Sequence, residues 1–136
     1  MSNERAPAAG PVARPAIVLV VEDDQSVRRM IQWALEDEGL IVGVAADGQQ
    51  AVEWTVQHRP DLVLLDMGLP VVDGVGVASH IREQYGATVP IIVVTADGRA
   101  AIKAARVGAV SFLQKPFEID MLLESVRSAL GPMWEA

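Results

Sequence analysis

The sequence predicts an α/β protein, built as a five-stranded parallel sheet with helices on both faces. Short apolar runs alternate along the chain with segments of helical periodicity, a pattern that is typical of β-α units. Strands joined by helical crossovers are parallel, because each crossover returns the chain to the same end of the sheet. The first, third and fourth runs are continuously apolar, as expected for strands that are buried on both faces.

Glycines and polar caps set the bounds of the elements. An apolar helical face follows the first run and ends at Gly39. Gly108 ends the fourth helix, for which Thr95 or Asp97 is the expected N-cap. The predicted strands are 16–21, 40–45, 61–65, 91–94 and 109–113, and the helices after the first are 49–58, 74–85, 98–107 and 118–130.

Polar residues follow four of these strands. They are Glu22 and Asp23 after the first strand, Asp66 after the third, Thr95 after the fourth and Lys115 after the fifth. The strand order 2-1-3-4-5 places the first and third strands side by side, at the point where ligand sites form in open α/β sheets. The polar residues are therefore expected to meet on one rim of the sheet.

This combination of side chains predicts divalent-cation and phosphoryl chemistry. Two carboxylates about 4 Å apart repel each other by roughly 4 kcal/mol at an effective dielectric constant of about 20, so their pKa values rise or a cation neutralises them. Such oxygen ligands suit Mg²⁺. Asp66 is the candidate nucleophile, because a carboxylate can form an acyl phosphate, and Lys115 offers positive charge to phosphoryl oxygens.

Each residue also has a simpler interpretation. Asp66 and Thr95 can cap the helices that follow them, as strand-end polar residues often do. Glu22 and Asp23 can stabilise a helix N-terminus through the helix dipole. Lys115 can be an ordinary surface lysine. The functional hypothesis depends on all of these residues meeting on the same rim.

Composition narrows the classes of function. The 136 residues fit one domain, predicted at 16–130, between a disordered Pro/Ala-rich tail at 1–15 and a C-terminal tail at 131–136. A net charge of −7 without a basic block argues against direct binding to nucleic acid. The absence of cysteine, of a signal-peptide pattern and of a long apolar run fits a cytoplasmic protein without a membrane segment.

The motifs of this chain resemble the receiver domain of bacterial two-component response regulators, over about residues 16–130. They are Leu19-Val20-Val21-Glu22-Asp23, Leu64-Leu65-Asp66-Met67-Gly68-Leu69-Pro70 with Asp73-Gly74, Val94-Thr95-Ala96, and Lys115-Pro116-Phe117. Each motif alone is weak, but their order and spacing are specific. The resemblance implies a flavodoxin-like, doubly wound fold and a stand-alone regulator of the chemotaxis or sporulation type.

The resemblance implies an acceptor and a metal site. Asp66 would accept a phosphoryl group from a sensor histidine kinase or a histidine phosphotransfer protein. Glu22, Asp23, Asp66 and the backbone carbonyl of Gly68 would hold Mg²⁺. Glu22 stands where many relatives have Asp, which lengthens the reach to the metal by one methylene.

The resemblance also implies how the signal leaves the site. Thr95 and Lys115 would contact the phosphoryl oxygens, and Phe112 would turn inward as the Thr95 hydroxyl moves. The Lys115-Pro116 peptide bond would be cis. A downstream protein would bind the surface formed by the fourth helix, fifth strand and fifth helix, with the regulator as a monomer or a phosphorylation-dependent dimer. Such a protein would catalyse only its own phosphorylation and dephosphorylation.

Three other hypotheses stay open at this point. A flavin-binding protein of similar architecture would need a Ser/Thr-rich phosphate loop, where this chain has Glu22-Asp23-Asp24. A phosphatase with an aspartate nucleophile would need a second acid two residues later, where Gly68 stands. A degenerate receiver would bind its partners without phosphorylation, which the complete set of site residues disfavours.

Overall fold

Five strands and five helices alternate in the computed structural model, which describes residues 14–69 and 73–135. The strands are β1 (Ile17–Val21), β2 (Ile41–Ala45), β3 (Leu62–Asp66), β4 (Ile91–Thr95) and β5 (Ser111–Gln114). The helices are α1 (Gln25–Asp37), α2 (Gly48–Gln57), α3 (Gly74–Tyr85), α4 (Ala100–Val107) and α5 (Ile119–Leu130). Short 3₁₀ turns span Gly86–Thr88 and Gly131–Glu135. Most of the predicted N-terminal tail (1–13) and Pro70 lie outside the described residues.

The strands form one parallel sheet in the order β2-β1-β3-β4-β5. This order confirms the predicted doubly wound architecture. Val21 pairs with Leu65 across β1 and β3, and Asp66 pairs with Val94 across β3 and β4. The carboxyl ends of the three central strands are therefore level, and the residues that end them share one rim.

Alternate residues of the central strands supply two hydrophobic cores. One core packs Val20, Leu64 and their same-face neighbours against Leu35 of α1 and Leu122 of α5. The other packs Leu19 and Val63 with residues of α2, α3 and α4. Because both faces are covered, every residue of the central strands except Ile17 is buried, which explains their continuous apolar sequences.

Aspartates begin the first three helices. The side chains of Asp24, Asp47 and Asp73 each accept a hydrogen bond from the backbone N–H three residues ahead, which satisfies a free donor of the first helical turn. The fourth helix differs from the prediction. It begins at Ala100, and neither Thr95 nor Asp97 caps it, because Thr95 is the last residue of β4 and the Asp97 carboxylate accepts the Arg99 N–H before the helix starts.

None of the helices in the described part of the chain is long and apolar enough to cross a membrane.

Candidate functional site

Three carboxylates meet where β1 and β3 end. Glu22 and Asp23 leave the end of β1, and Asp66 is the last residue of β3. One carboxylate oxygen from each lies within 4.8 Å of the others. Glu22 and Asp66 are only 1% and 5% exposed, whereas Asp23 is exposed at the rim. The adjacent parallel pairing of β1 with β3 therefore brings together the acidic residues that the sequence placed at strand ends.

A lysine from the fifth strand end reaches into this cluster. Lys115 Nζ lies 2.8 Å from Glu22 Oε1 and 3.5 Å from Asp66 Oδ2. It also donates a hydrogen bond to Glu22 Oε2 at 3.0 Å. The backbone N–H of Lys115 donates to the Thr95 carbonyl at 2.8 Å, and the Lys115-Pro116 bond is cis, as expected. One ammonium thus faces two buried carboxylates.

Burial and charge act in opposite directions on the two partners. Burial raises the pKa of Glu22 from 4.5 to about 7, outweighing the hydrogen bonds from Lys115 and the Asp24 N–H, and the charge of Asp66 adds to the rise. Burial lowers the pKa of Lys115, but its hydrogen bond and ion pair with Glu22 raise that pKa by more. The site therefore favours a cationic lysine and resists a full complement of negative charge.

The loop after β3 turns closely around Asp66. The Gly68 N–H donates to Asp66 Oδ1 at 2.9 Å, so one oxygen of the carboxylate is already fixed by the backbone. A β-carbon at position 68 would lie 3.5 Å from that same oxygen, in ordinary van der Waals contact. Gly68 itself is exposed, and it has no side chain that could cover Asp66.

Thr95 and Phe112 lie on the neighbouring strands. Thr95 is 3% exposed, and its hydroxyl accepts a long hydrogen bond of 3.4 Å from the Asp97 N–H. The Asp97 carboxylate pairs with Lys103 Nζ at 2.6 Å on α4. Phe112 is 46% exposed on β5, so its ring points away from the core in this structure.

Arg28 is a site residue that the sequence alone did not single out. Its Nη1 donates to the backbone carbonyls of Glu22 and Asp23, at 2.9 and 3.4 Å. Its positive charge could have indicated a role in the site. A cation on the first turn of a helix interacts unfavourably with the helix dipole, so helix stability does not explain its presence there.

The donor set fits Mg²⁺. Glu22, Asp23 and Asp66 offer only oxygen ligands, which a hard cation prefers. Glu22 Oε1 is buried and, although it faces Lys115, has no well-directed hydrogen bond among the described residues. A buried acceptor of this kind favours a further cation, and the exposed Asp23 keeps one side of the cluster accessible to it.

Comparisons of sequence identify a family and several relatives for this chain. The family model described as response regulator receiver domain matches residues 18–127. The transcriptional regulatory protein PdtaR of Mycobacterium tuberculosis is 41% identical over 122 residues, covering 88% of this chain and 58% of that protein. The response regulator ArlR of Staphylococcus saprophyticus is 36% identical over 115 residues, covering 83% and 51%. The chain thus spans little more than half the length of these relatives.

Comparisons of structure give the same grouping. The chemotaxis protein CheY4 of Vibrio cholerae matches with a TM-score of 0.79 and 33% identity, covering 86% of this chain and 100% of that chain. The receiver domain of the sensor histidine kinase PA1611 from Pseudomonas aeruginosa, with a magnesium ion coordinated in its active-site cleft, matches with a TM-score of 0.78 and 33% identity, covering 87% and 99%. This chain belongs to the response regulator receiver domain family, as its motifs predicted.

Proposed function

We propose that this protein is a phosphorylation switch in which Asp66 accepts a phosphoryl group in a Mg²⁺-dependent reaction. One observation carries the proposal: the Asp66 carboxylate meets Glu22, Asp23 and Lys115 at the shared rim of β1 and β3. A buried nucleophile, a cation site and a fixed ammonium are the groups that phosphoryl transfer to a carboxylate requires.

The proposed donor is the phosphohistidine of a sensor histidine kinase or a histidine phosphotransfer protein. An Asp66 oxygen bonds to phosphorus as the phosphorus–nitrogen bond breaks, and the imidazole leaves with the electron pair of that bond and takes up a proton. Asp66 Oδ1 accepts the Gly68 N–H, so Oδ2, which faces Lys115, is the oxygen that attacks. Later attack by water on phosphorus releases phosphate and restores the carboxylate, so the protein turns over only its own acyl phosphate.

The remaining site residues bind the cation or contact the phosphoryl oxygens in the proposed reaction. Glu22, Asp23, Asp66 and the Gly68 carbonyl are the proposed Mg²⁺ ligands, and the bound ion supplies positive charge that stabilises the transferring phosphoryl group. Lys115 moves from its partners Glu22 and Asp66 to a phosphoryl oxygen, and Thr95 gives up its contact with the Asp97 N–H to donate its hydroxyl.

The proposed output is a protein contact on the surface formed by α4, β5 and α5. A groove of about 600 Å³ lies between β5 and α5, and Val110, Phe112 and Met121 expose apolar side chains along it. An inward turn of Phe112 would remove one wall of this groove. The groove would then have a different shape in each state of the switch, and a downstream partner could bind one shape in preference to the other. With a cytoplasmic phosphodonor, the protein would act in the cytoplasm, as a monomer or as a dimer that forms on phosphorylation.

The test is the intact mass of the protein after incubation with acetyl phosphate and Mg²⁺. We expect a single phosphoryl adduct that requires Mg²⁺ and is lost in Asp66→Asn. Asp73→Asn is the matched control, because Asp73 is exposed and asparagine preserves its capping role. An adduct that persists in Asp66→Asn would overturn the assignment of the acceptor. No adduct with acetyl phosphate or with a panel of phosphorylated histidine kinases would favour a degenerate receiver.

A further inference from the structure

Arg28 fixes the loop that carries two of the three carboxylates. The loop runs from Glu22 to Asp24, between β1 and α1, and Arg28 lies on the first turn of α1. Its Nη1 donates to the Glu22 carbonyl at 2.9 Å and approaches the Asp23 carbonyl at 3.4 Å. A single guanidinium nitrogen therefore spans two consecutive carbonyl groups of the proposed metal loop.

Two further hydrogen bonds engage backbone N–H groups of the loop. The Glu22 N–H donates to the Ala45 carbonyl at 3.0 Å, and the Asp24 N–H donates to Glu22 Oε2 at 3.1 Å. Arg28 adds the complementary contacts to the acceptors. Arg28 thus holds the carbonyls of the Glu22–Asp23 and Asp23–Asp24 peptide units, and Glu22 Oε2 holds the N–H of the second unit.

Helix stability does not account for an arginine at this position. The amino end of a helix carries partial positive charge, so a cation on the first turn is unfavourable there. Arg29, the next residue, is exposed, and its side chain makes no hydrogen bond within the described residues. The two neighbouring arginines therefore differ, because only Arg28 bonds to the loop. The inward contacts of Arg28 are what distinguish it.

We infer that Arg28 is a positioning residue for Mg²⁺, acting through the backbone of Glu22 and Asp23. The inference rests on the proposed function of the acidic cluster as a Mg²⁺ site. A loop that is already ordered loses less conformational entropy when it binds a cation, so Arg28 raises the affinity without touching the metal. The positive charge of Arg28 repels Mg²⁺ and therefore lowers the affinity. The effect of the charge and the effect of the hydrogen bonds thus have opposite signs and can be measured separately.

The test is the dissociation constant of Mg²⁺ by calorimetry, with the metal-free Tm measured in parallel. The variants are Arg28→Met, which removes charge and hydrogen bonds, and Arg28→Lys, which keeps the charge but loses the planar donor group. Arg29→Met is the matched control for the loss of one positive charge on the same turn. We expect Arg28→Met to weaken Mg²⁺ binding by about tenfold, Arg28→Lys to weaken it by less, and Arg29→Met to change it less than twofold.

Three results would overturn the inference. Unchanged or tighter Mg²⁺ binding by Arg28→Met would show that its charge outweighs its hydrogen bonds. A lower metal-free Tm with unchanged Mg²⁺ affinity would assign Arg28 to stability alone. Wild-type protein that binds no Mg²⁺ would remove the proposed function and this inference together, which distinguishes that outcome from the other two. If Arg28→Met fails to fold, Arg28→Lys against Arg29→Lys decides by the same comparison.

Discussion

Asp66 and Glu22 share the single ammonium group of Lys115, so one negative charge of this pair is not compensated. This excess charge lowers the stability of the metal-free protein. Lys115 lies 2.8 Å from Glu22 but 3.5 Å from Asp66, so the second carboxylate is the less well paired. We expect Asp66→Asn to raise the metal-free Tm by about 3 °C, because one repelling charge is removed while the closer ion pair stays. Thermal unfolding in a chelating buffer measures the change. Mg²⁺ should then stabilise the wild type more than the variant, and a lower Tm for the metal-free variant would contradict this account.

The raised pKa of Glu22 predicts how stability depends on pH without metal. Between pH 4.5 and about 7 the unfolded chain loses the Glu22 proton while the folded protein keeps it, so stability falls as the pH rises through this window. The loss from this group amounts to up to about 3 kcal/mol and is complete above pH 7. Urea unfolding at several pH values should show a shallower fall for Glu22→Gln. Equal slopes for both proteins would count against a buried, protonated Glu22.

At the scale of single residues, the sequence identified the chemical groups but not all of their contacts. Glu22, Asp23 and Asp66 could be placed because each ends a strand of known direction, and strand direction follows from the crossover rule. The contacts of Arg28 with carbonyl groups could not be predicted, because they depend on the local path of a three-residue loop.

The edge strand β2 depends on a glycine that admits an aromatic ring. A β-carbon at Gly43 would lie 2.5 Å from the Trp54 indole of α2, closer than atoms of these types approach. We expect Gly43→Ala to destabilise the protein by about 1 to 3 kcal/mol, since the indole must move from its packed position. Denaturant unfolding and the near-ultraviolet signal of tryptophan measure both effects. Gly98→Ala is the control, because nothing lies within 4 Å of a β-carbon there, and equal losses would exclude the steric explanation.

The amino end of β3 is held by an ion pair between the buried Asp61 and the half-exposed Arg14, at the rim opposite the site. Asp61 is 3% exposed, accepts hydrogen bonds from Arg14 at 2.9 and 3.0 Å, and accepts the Ile17 N–H at 2.8 Å. Burial raises the pKa of Asp61, but the hydrogen bonds of Arg14 and Ile17 lower it by more, so this stabilisation is lost as the pH falls below 3.8. We expect Asp61→Asn to cost about 2 kcal/mol at neutral pH and to weaken the acid dependence in urea unfolding. An unchanged acid midpoint would contradict this.

At the scale of elements, the periodicity of apolar residues predicted where the helices and strands lie. The hydrogen bonds of the loops between them could not be predicted. The starts of α2, α3 and α5 came within one residue of their predicted positions, because aspartates or apolar repeats mark them. The start of α4 moved to Ala100, because Asp97 bonds to the Arg99 N–H and to Lys103 and thereby forms a turn before the helix. A short polar segment can make several such bonds, and the sequence does not select among them.

Across the whole molecule, the chemistry and the output surface are separate enough to be changed independently. Phe112 is half exposed and lies outside the acidic cluster, so we expect Phe112→Ala to cost less than about 1 kcal/mol in stability. The phosphoryl adduct seen by intact mass should form at a rate within twofold of the wild type, while binding to a downstream protein changes. Loss of the adduct would place Phe112 within the chemistry itself.

The overall topology was predictable because two simple rules act along the entire chain. Helical crossovers make the strands parallel, and continuous apolar runs mark the strands that both layers cover. The partners of the surface were not predictable in the same way, since many residues are tolerated on an exposed face.

The ion pair between Arg14 and Asp61 also bears on how variants would behave in living cells. A substitution that weakens it would lower the amount of folded protein, because a loss of 1 to 2 kcal/mol can change abundance several-fold. The surviving molecules would retain an intact acceptor site at the other end of β3. Such a variant would look defective in a signalling screen, yet each remaining copy would respond normally, and only a measurement normalised to protein level would reveal the difference.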